Sequence, residues 1–316
     1  SKLDQIIDKI FIKYNPEKDS KYRAKVIANE VIRYKGRLDL MIEYISGRSI
    51  NNINNEILSI LRLGFYEITM DRLVPDYAAV DSAVKLAKDN IGLKATSFTN
   101  AVLRNLTRKN NKDNSWTNKL KNKAEWNSLP FWIQNKWKKN LGEEAFLQMV
   151  KTMNTMPPNF IRLDTNQNNI DEVKQILGRV GIKSKIFSSS FLKIFYGFGK
   201  IFQTDLFKNG NISIQNPASA AIVDCLEPIS GDTVLDVCAA PGTKSLYLAN
   251  IVGKKGLVLA SDIIPKRINN GILDIKRHGK QNIKWSLKDA SKDTFPMVER
   301  ILIDAPCTGT GIIARK

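Results

Sequence analysis

The chain has 316 residues, more than one ordinary core accommodates, so two or three domains are expected. Hydrophobic residues make up 43%, which suits packed domains, no apolar run is long enough for a membrane span, and the first ten residues lack a signal peptide's apolar centre. The formal charge of +18 points to a polyanionic partner, although the abundance of Lys, Asn and Ile also matches an AT-rich coding sequence. The three cysteines (Cys225, Cys238, Cys307) form no CxxC pair, and His278 is the single histidine. That composition argues against a metal site, a disulfide framework and Ser-His-Asp chemistry, and it fits a reducing cytoplasm. The chain begins without Met and stops directly behind a motif, so a longer parent protein is expected.

Helical spacing dominates the first 110 residues. Leu3, Ile6, Ile7, Ile10 and Phe11 form one set, and Val26, Ile27, Val31 and Ile32 another. A longer set runs from Ile57 to Met70 and is broken by Pro75. Val80, Val84 and Leu86 open a helix that Asn90 and Gly92 can end, and Phe98, Val102, Leu103 and Leu106 mark one more. No strand alternation appears, so an all-α bundle is predicted. Residues 111–127 are polar and read as a linker. From Arg104 to Lys139 ten Lys or Arg stand against Asp113 and Glu125 only, interleaved with Trp116, Trp126, Trp132 and Trp137. Such a stretch suits phosphate contact and base stacking; equally, the Trp side chains can anchor the linker.

Pro130 precedes a helix with Trp132, Ile133 and Trp137, and a second helix starts near Glu143 and ends before Pro157-Pro158. Phe160–Leu163 reads as a strand, Ile170–Leu177 as a helix and Lys185–Phe195 as strand material, giving a small α/β module. Beyond Gly210 strands and helices alternate: helix Ala218–Leu226, strand Thr233–Val237, helix Ser245–Val252, strand Leu257–Ala260, helix Lys266–Arg277, and strands at Ile283–Leu287 and Arg300–Ile303. Alternation of this kind predicts a parallel, Rossmann-like sheet with crossover helices.

The turn Cys238-Ala239-Ala240-Pro241-Gly242-Thr243-Lys244 joins an apolar strand to a helix. Small residues allow close backbone approach, the helix N-terminus offers partial positive charge and Lys244 a full one, a combination suited to the carboxylate of an amino-acid-like cofactor. Asp262 ends the second strand, where a carboxylate can accept ribose hydroxyls. Asp289 follows the third strand, within reach of an adenine amino group, and Asp304 ends the fourth. Cys307 lies in a Pro/Gly turn directly after, a setting for thiol chemistry or for a structural cysteine. Cys225 reads as core, Cys238 as mainly a backbone contributor, and His278 as a solvated helix-end residue.

Together, Cys238–Lys244 and Asp304-Ala305-Pro306-Cys307-Thr308-Gly309-Thr310-Gly311 resemble the RsmB/Fmu (NOL/NOP/Sun) family of RNA 5-methylcytosine methyltransferases. Gln215-Asn216-Pro217-Ala218-Ser219 is similar to that family's segment before the cofactor strand. Leu61–Glu67, Ala79-Val80-Asp81 and Phe98–Leu106 resemble the NusB-type RNA-binding domain fused to it in bacteria. Thr243 and Thr308 stand where the family usually has Gly and Ser, both small replacements.

The resemblance implies a multi-domain chain: a NusB-like bundle over 1–125, a helical linker and small α/β module over 126–208, and the first part of a methyltransferase domain over 209–316. It implies S-adenosyl-L-methionine (SAM) held by Cys238, Ala239, Ala240, Pro241, Gly242, Thr243, Lys244, Asp262, Asp289 and Asp304. It also implies small-subunit ribosomal RNA as substrate, with no membrane or metal partner, and a cytoplasmic monomer. In the implied chemistry a thiolate adds to cytosine C6, C5 receives the methyl group, and the C5 proton and thiol leave from a base that is unpaired or flipped out. The attacking cysteine of the family belongs to a later Thr-Cys segment, expected past residue 316, and Cys307 takes the product-release role. The rival reading is an RNA-binding protein with a NusB-like domain and no methyl transfer. A third, methylation of an amino nitrogen, is disfavoured because Asp304-Ala305-Pro306-Cys307 lacks the second Pro and the aromatic ring of the usual tetrad.

Overall fold

The computed structural model describes residues 2–71, 73–155, 157–307 and 309. They form two compact units, Ser1–Met156 and Pro157–Gly311. No helix among the described residues is long and apolar enough to cross a membrane.

The first unit is helical: α1 (Lys2–Tyr14), α2 (Lys18–Arg33), α3 (Lys35–Ser46), α4 (Asn55–Tyr66), α5 (Asp76–Asn90), α6 (Leu93–Lys112), α7 (Phe131–Leu141) and α8 (Glu143–Met153). Asn54 starts α4 by accepting the Glu56 and Ile57 amides, which no helical carbonyl could satisfy. The expected continuous helix to Met70 ends at Tyr66 and widens into a π turn over Glu67–Asp71, where Arg23 is paired with Asp71. Leu38, Met41, Ile42, Leu61, Phe65, Leu103 and Leu106 fill the core, each almost wholly buried. A Cβ on Gly64 would stand 2.9 Å from Leu103 Cδ1, so glycine there lets α4 and α6 close on each other.

The polar stretch 111–127 is not a free linker. It forms short turns at Asn114–Lys119 and Ala124–Asn127 and lies on the bundle. The reason is aromatic: Trp116 is buried and stacks on Tyr44 at 5.4 Å, while Arg37 sits over the Trp126 ring at 4.6 Å.

The second unit opens with an antiparallel sheet: β1 (Asn159–Leu163), α9 (Ile170–Arg179), β2 (Lys183–Ser188), β3 (Phe191–Tyr196), α10 (Asp205–Lys208) and β4 (Ile212–Ile214), in strand order β2-β3-β1-β4. The strand material expected over Lys185–Phe195 is thus a hairpin. There follow α11 (Pro217–Cys225), β5 (Thr233–Asp236), α12 (Thr243–Val252), β6 (Leu257–Asp262), α13 (Pro265–Arg277), β7 (Ile283–Leu287) and β8 (Arg300–Leu302). These strands pair in parallel in the order β7-β6-β5-β8. Val223, Val234, Leu248, Val252 and Val258 are fully buried where α11 and α12 cover this sheet, each contributing about 1.5–3 kcal/mol.

Two residues depart from expectation. Cys225 is exposed, because α11 turns Val223 rather than Cys225 towards the sheet. The side chain of His278 is only 6% exposed, since the end of α13 packs on β4 and Ser213 Oγ lies 3.2 Å from Nε2. Burial and the neighbouring Arg277 charge push the imidazole down to about 4, so it is neutral at physiological pH.

Candidate cofactor site

β5 sits between β6 and β8, so the chain leaves it towards β6 on one side and returns to β8 on the other. Open parallel sheets bind ligands at such a reversal, outside the carboxyl ends of the strands. The turn Val237–Gly242 lies at this point. The structure brings Cys238, Lys244, Asp262 and Asp304 together beside it. The Cys238 thiol is raised by burial first, then by the charges of Asp262, Asp236 and Asp304, against Arg267.

Most of the turn's amides are already spent inside the protein. Val237 N–H donates to Leu302 O, Ala239 N–H to Ser261 O, Ala240 N–H to Asp262 Oδ2, and Gly242 N–H to Ala239 O, all between 2.8 and 3.1 Å. Pro241, after a cis peptide bond, has none. Further donors stand at the start of the helix: among the described residues no side chain caps α12, whose first residues are Thr243, Lys244 and Ser245. Gly242 has φ +100°, and a Cβ there would stand 3.0 Å from Trp285 Cζ2, so glycine is required twice over.

The carboxylates differ in their engagement. Asp262 is 3% exposed; Oδ2 accepts from Ala240 N–H at 3.1 Å, and Oδ1 from Ile264 N–H at 3.0 Å. It therefore fixes the turn as well as ending β6. Asp304 is half-exposed and receives the Lys244 ammonium at 2.5 Å, so Lys244 is tied to a carboxylate. Asp289 is held apart: Oδ1 accepts the Ser291 amide and hydroxyl, and Oδ2 lies 3.5 Å from Lys292 Nζ. Those Ser291 bonds hold its carboxyl below the ordinary range. The backbone nonetheless keeps it near, since Lys288 N–H donates to Asp262 O at 3.2 Å. Cys307 is exposed, and its Sγ accepts from Gly309 N–H at 3.4 Å. Thr308, Thr310 and Gly311 lie outside the described residues.

Three supporting residues were not singled out by the sequence. Asp236 is 1% exposed; Ser245 Oγ donates to its Oδ2 at 2.7 Å, and Oδ1 has no partner among the described residues. Burial pushes this carboxyl up to about 6. Arg267, on α13, donates to Ala240 O and stands 3.3 Å from Asp262 Oδ2. Trp285, on β7, lies against both Gly242 and Gly271. An acidic residue ending an apolar strand was the one available signal, for Asp236; Arg267 and Trp285 gave none.

Comparisons with known proteins agree with this architecture. The NusB family model matches residues 2–108, and the model described as 16S rRNA methyltransferase RsmB/F matches residues 223–316. The probable ribosomal RNA small subunit methyltransferase B of Bacillus subtilis (strain 168) is 31% identical over 265 residues, 82% of this chain and 59% of that protein. The protein of the same name from Synechocystis sp. is 27% identical over 323 residues, 100% of this chain and 72% of its own. The solved structure of PH0851 superposes with a TM-score of 0.68 at 25% identity, covering 97% of this chain and 70% of that one. The chain thus spans 59% of the first of these relatives. A helical NusB-type part thus precedes a parallel-sheet methyltransferase fold in the sequence, residues 2–108 matching the NusB family and residues 223–316 the RsmB/F methyltransferase family.

Proposed function

We propose that this chain carries the RNA-docking and cofactor-holding parts of a SAM-dependent methyltransferase that makes 5-methylcytosine in small-subunit ribosomal RNA. The observation that carries the reading is the junction of Lys244, Asp262 and Asp304 beside the uncapped start of α12, at the reversal of strand order. The names of the relatives, ribosomal RNA small subunit methyltransferase B, point to the substrate.

The donor set fits such a cofactor. Helix-start amides and Lys244 suit a carboxylate, Asp262 and Asp289 suit hydroxyl and amino donors, and the small residues Cys238–Thr243 leave room beside the backbone. When bound, SAM supplies a methyl group activated by its sulfonium. Asp262 holds the turn in shape, Lys244 and Asp304 balance each other's charge at its mouth, and Cys307 is assigned to product release. We assign RNA docking to 1–125, connection to 126–208 and cofactor binding to 209–316, in a cytoplasmic monomer. Among the described residues no cluster of His, Cys, Asp or Glu suits a metal ion.

Two measurements test the reading. Calorimetry of the chain with SAM should show one saturable site, and its absence would leave only an RNA-binding role. Nucleoside mass spectrometry of small-subunit RNA, from cells with and without the gene, should show the loss of a 5-methylcytosine. An identical content would overturn the assigned reaction.

A further inference from the structure

The four tryptophans of the basic stretch do not share a fate. Trp116 is 5% exposed and Trp126 packs against the helical core, so both are structural. Trp137 is half-buried. Trp132 is 64% exposed and its neighbour Phe131 68%. Exposed rings occur elsewhere on the chain, as at Phe195 and Tyr196, but Phe131 and Trp132 form an exposed apolar patch within a basic stretch, the setting of an interaction site.

Their helix explains what they share the surface with. Ile133 and Gln134 turn inward, and Gln134 Nε2 donates to Ala124 O at 3.0 Å and to Leu129 O at 2.8 Å, which locks the rotation of α7. The exposed side is then set by helical spacing: Phe131, Asn135 and Lys139 in one row, Trp132, Lys136 and Asn140 in the next. All six are exposed, and neither lysine has an ion-pair partner among the described residues. α7 itself contains no acidic residue, and Glu143 beyond its end is engaged by Lys138 at 2.8 Å. One helical face thus offers two rings, two ammonium groups and two carboxamides, with no carboxylate among them.

We infer that this face of α7 docks an unpaired stretch of the RNA substrate, Phe131 and Trp132 stacking on bases while Lys136 and Lys139 meet the phosphates. The inference deepens the proposed function and rests on its RNA substrate. Charge complementarity selects a polyanion over a peptide or a second copy of this basic chain. The rings select single strands, because a paired base offers them no free π-face. From Phe131 to Lys139 the helix rises about 12 Å, enough for about two nucleotides.

The test uses the intact chain and a short labelled single-stranded oligoribonucleotide, with the same sequence in duplex form as competitor. Phe131→Ala/Trp132→Ala should weaken single-strand binding about ten-fold or more, with the salt slope preserved. Trp132→Phe, paired with native Phe131, should keep most of the affinity. Lys136→Ala/Lys139→Ala should reduce the salt slope by about 1.4 in magnitude. Unchanged affinity without the rings would overturn the inference. So would equal loss for single strand and duplex, or sedimentation showing that the rings seal a dimer. SAM titrations on the same samples separate the two readings: SAM binding with ring-insensitive RNA affinity defeats this inference alone. Ring-dependent RNA affinity without SAM binding defeats the proposed methyl transfer alone.

Discussion

Ser245 Oγ donates a 2.7 Å hydrogen bond to Asp236 Oδ2, tying the first turn of α12 to the end of β5. The bond pins both ends of the candidate cofactor turn. It also leaves a carboxyl in a dry site, where Lys244 favours its charge while Asp304 and Asp262 oppose it.

A pH dependence follows from that carboxyl. Its folded value of about 6 stands above the unfolded 3.8, so the protonated form is the one that folding favours. The contribution is whole below the unfolded value and is lost as pH rises through the folded one. Asp236→Asn removes this titration. Between about pH 4 and about pH 7 the native chain should lose up to ~3 kcal/mol relative to the variant. Urea unfolding of both proteins across that range gives the difference directly; parallel profiles would mean that Asp236 titrates normally.

Trp285 supports a steric prediction. A Cβ on Gly271 would stand 2.6 Å from Trp285 Cζ2 and 2.9 Å from Pro241 O. The ring and the backbone both block it, so Gly271→Ala should cost about 1–3 kcal/mol by overpacking. Trp285→Leu in the same chain should recover part of that loss, because the ring is one of the two obstacles. Additive effects in the double-mutant cycle would show that the two do not press on each other.

These residues also show what sequence can and cannot disclose. The strands and helices around the turn were legible because burial on a parallel sheet leaves apolar runs, as in Val234-Leu235 and Leu257–Ala260. Asp262 and Asp304 could be picked out because each stands at or just past the end of a strand, and Lys244 because it opens the helix after one; strand ends of a parallel sheet share one edge. Trp285 reads like any strand aromatic until Gly242 and Gly271 are seen against it. Arg267 reads like any basic helix residue until α13 brings it to Ala240 O. The linker assignment missed for the opposite reason: residues 111–127 are polar on average, yet Trp116 and Leu120 are enough to hold them on the bundle. Averages over a segment hide single anchors.

Arg162 and Gln215 offer a test of a buried polar link. Arg162 Nε donates to Gln215 Oε1 at 2.5 Å, and its guanidinium lies 4.4 Å from the Tyr247 ring centroid. Burial lowers the guanidinium to about 10, so it stays charged at neutral pH. Gln215→Ala deprives that charge of an acceptor and should destabilise the chain by about 1–3 kcal/mol. Arg162→Met removes the charge while keeping much of the volume, and should cost less than Arg162→Ala. Thermal unfolding ranks the three, and equal losses for Met and Ala would show that shape fill is irrelevant there.

Asp262 links the turn's shape to the cofactor it is proposed to hold. Its carboxylate accepts from Ala240 and Ile264 amides and faces Arg267. Asp262→Ala should therefore act twice. SAM affinity should fall by roughly 1–3 kcal/mol through a lost buried acceptor. The melting temperature should also fall by about 2–4 °C for each kcal/mol lost from the turn. Asp262→Asn separates the effects, since its amide oxygen can still accept one of the two backbone bonds while the negative charge is gone. If calorimetry finds SAM bound as tightly by Asp262→Ala as by the native chain, Asp262 is a turn-fixing residue and no ligand. The adenosine end of the site must then be sought at Asp289.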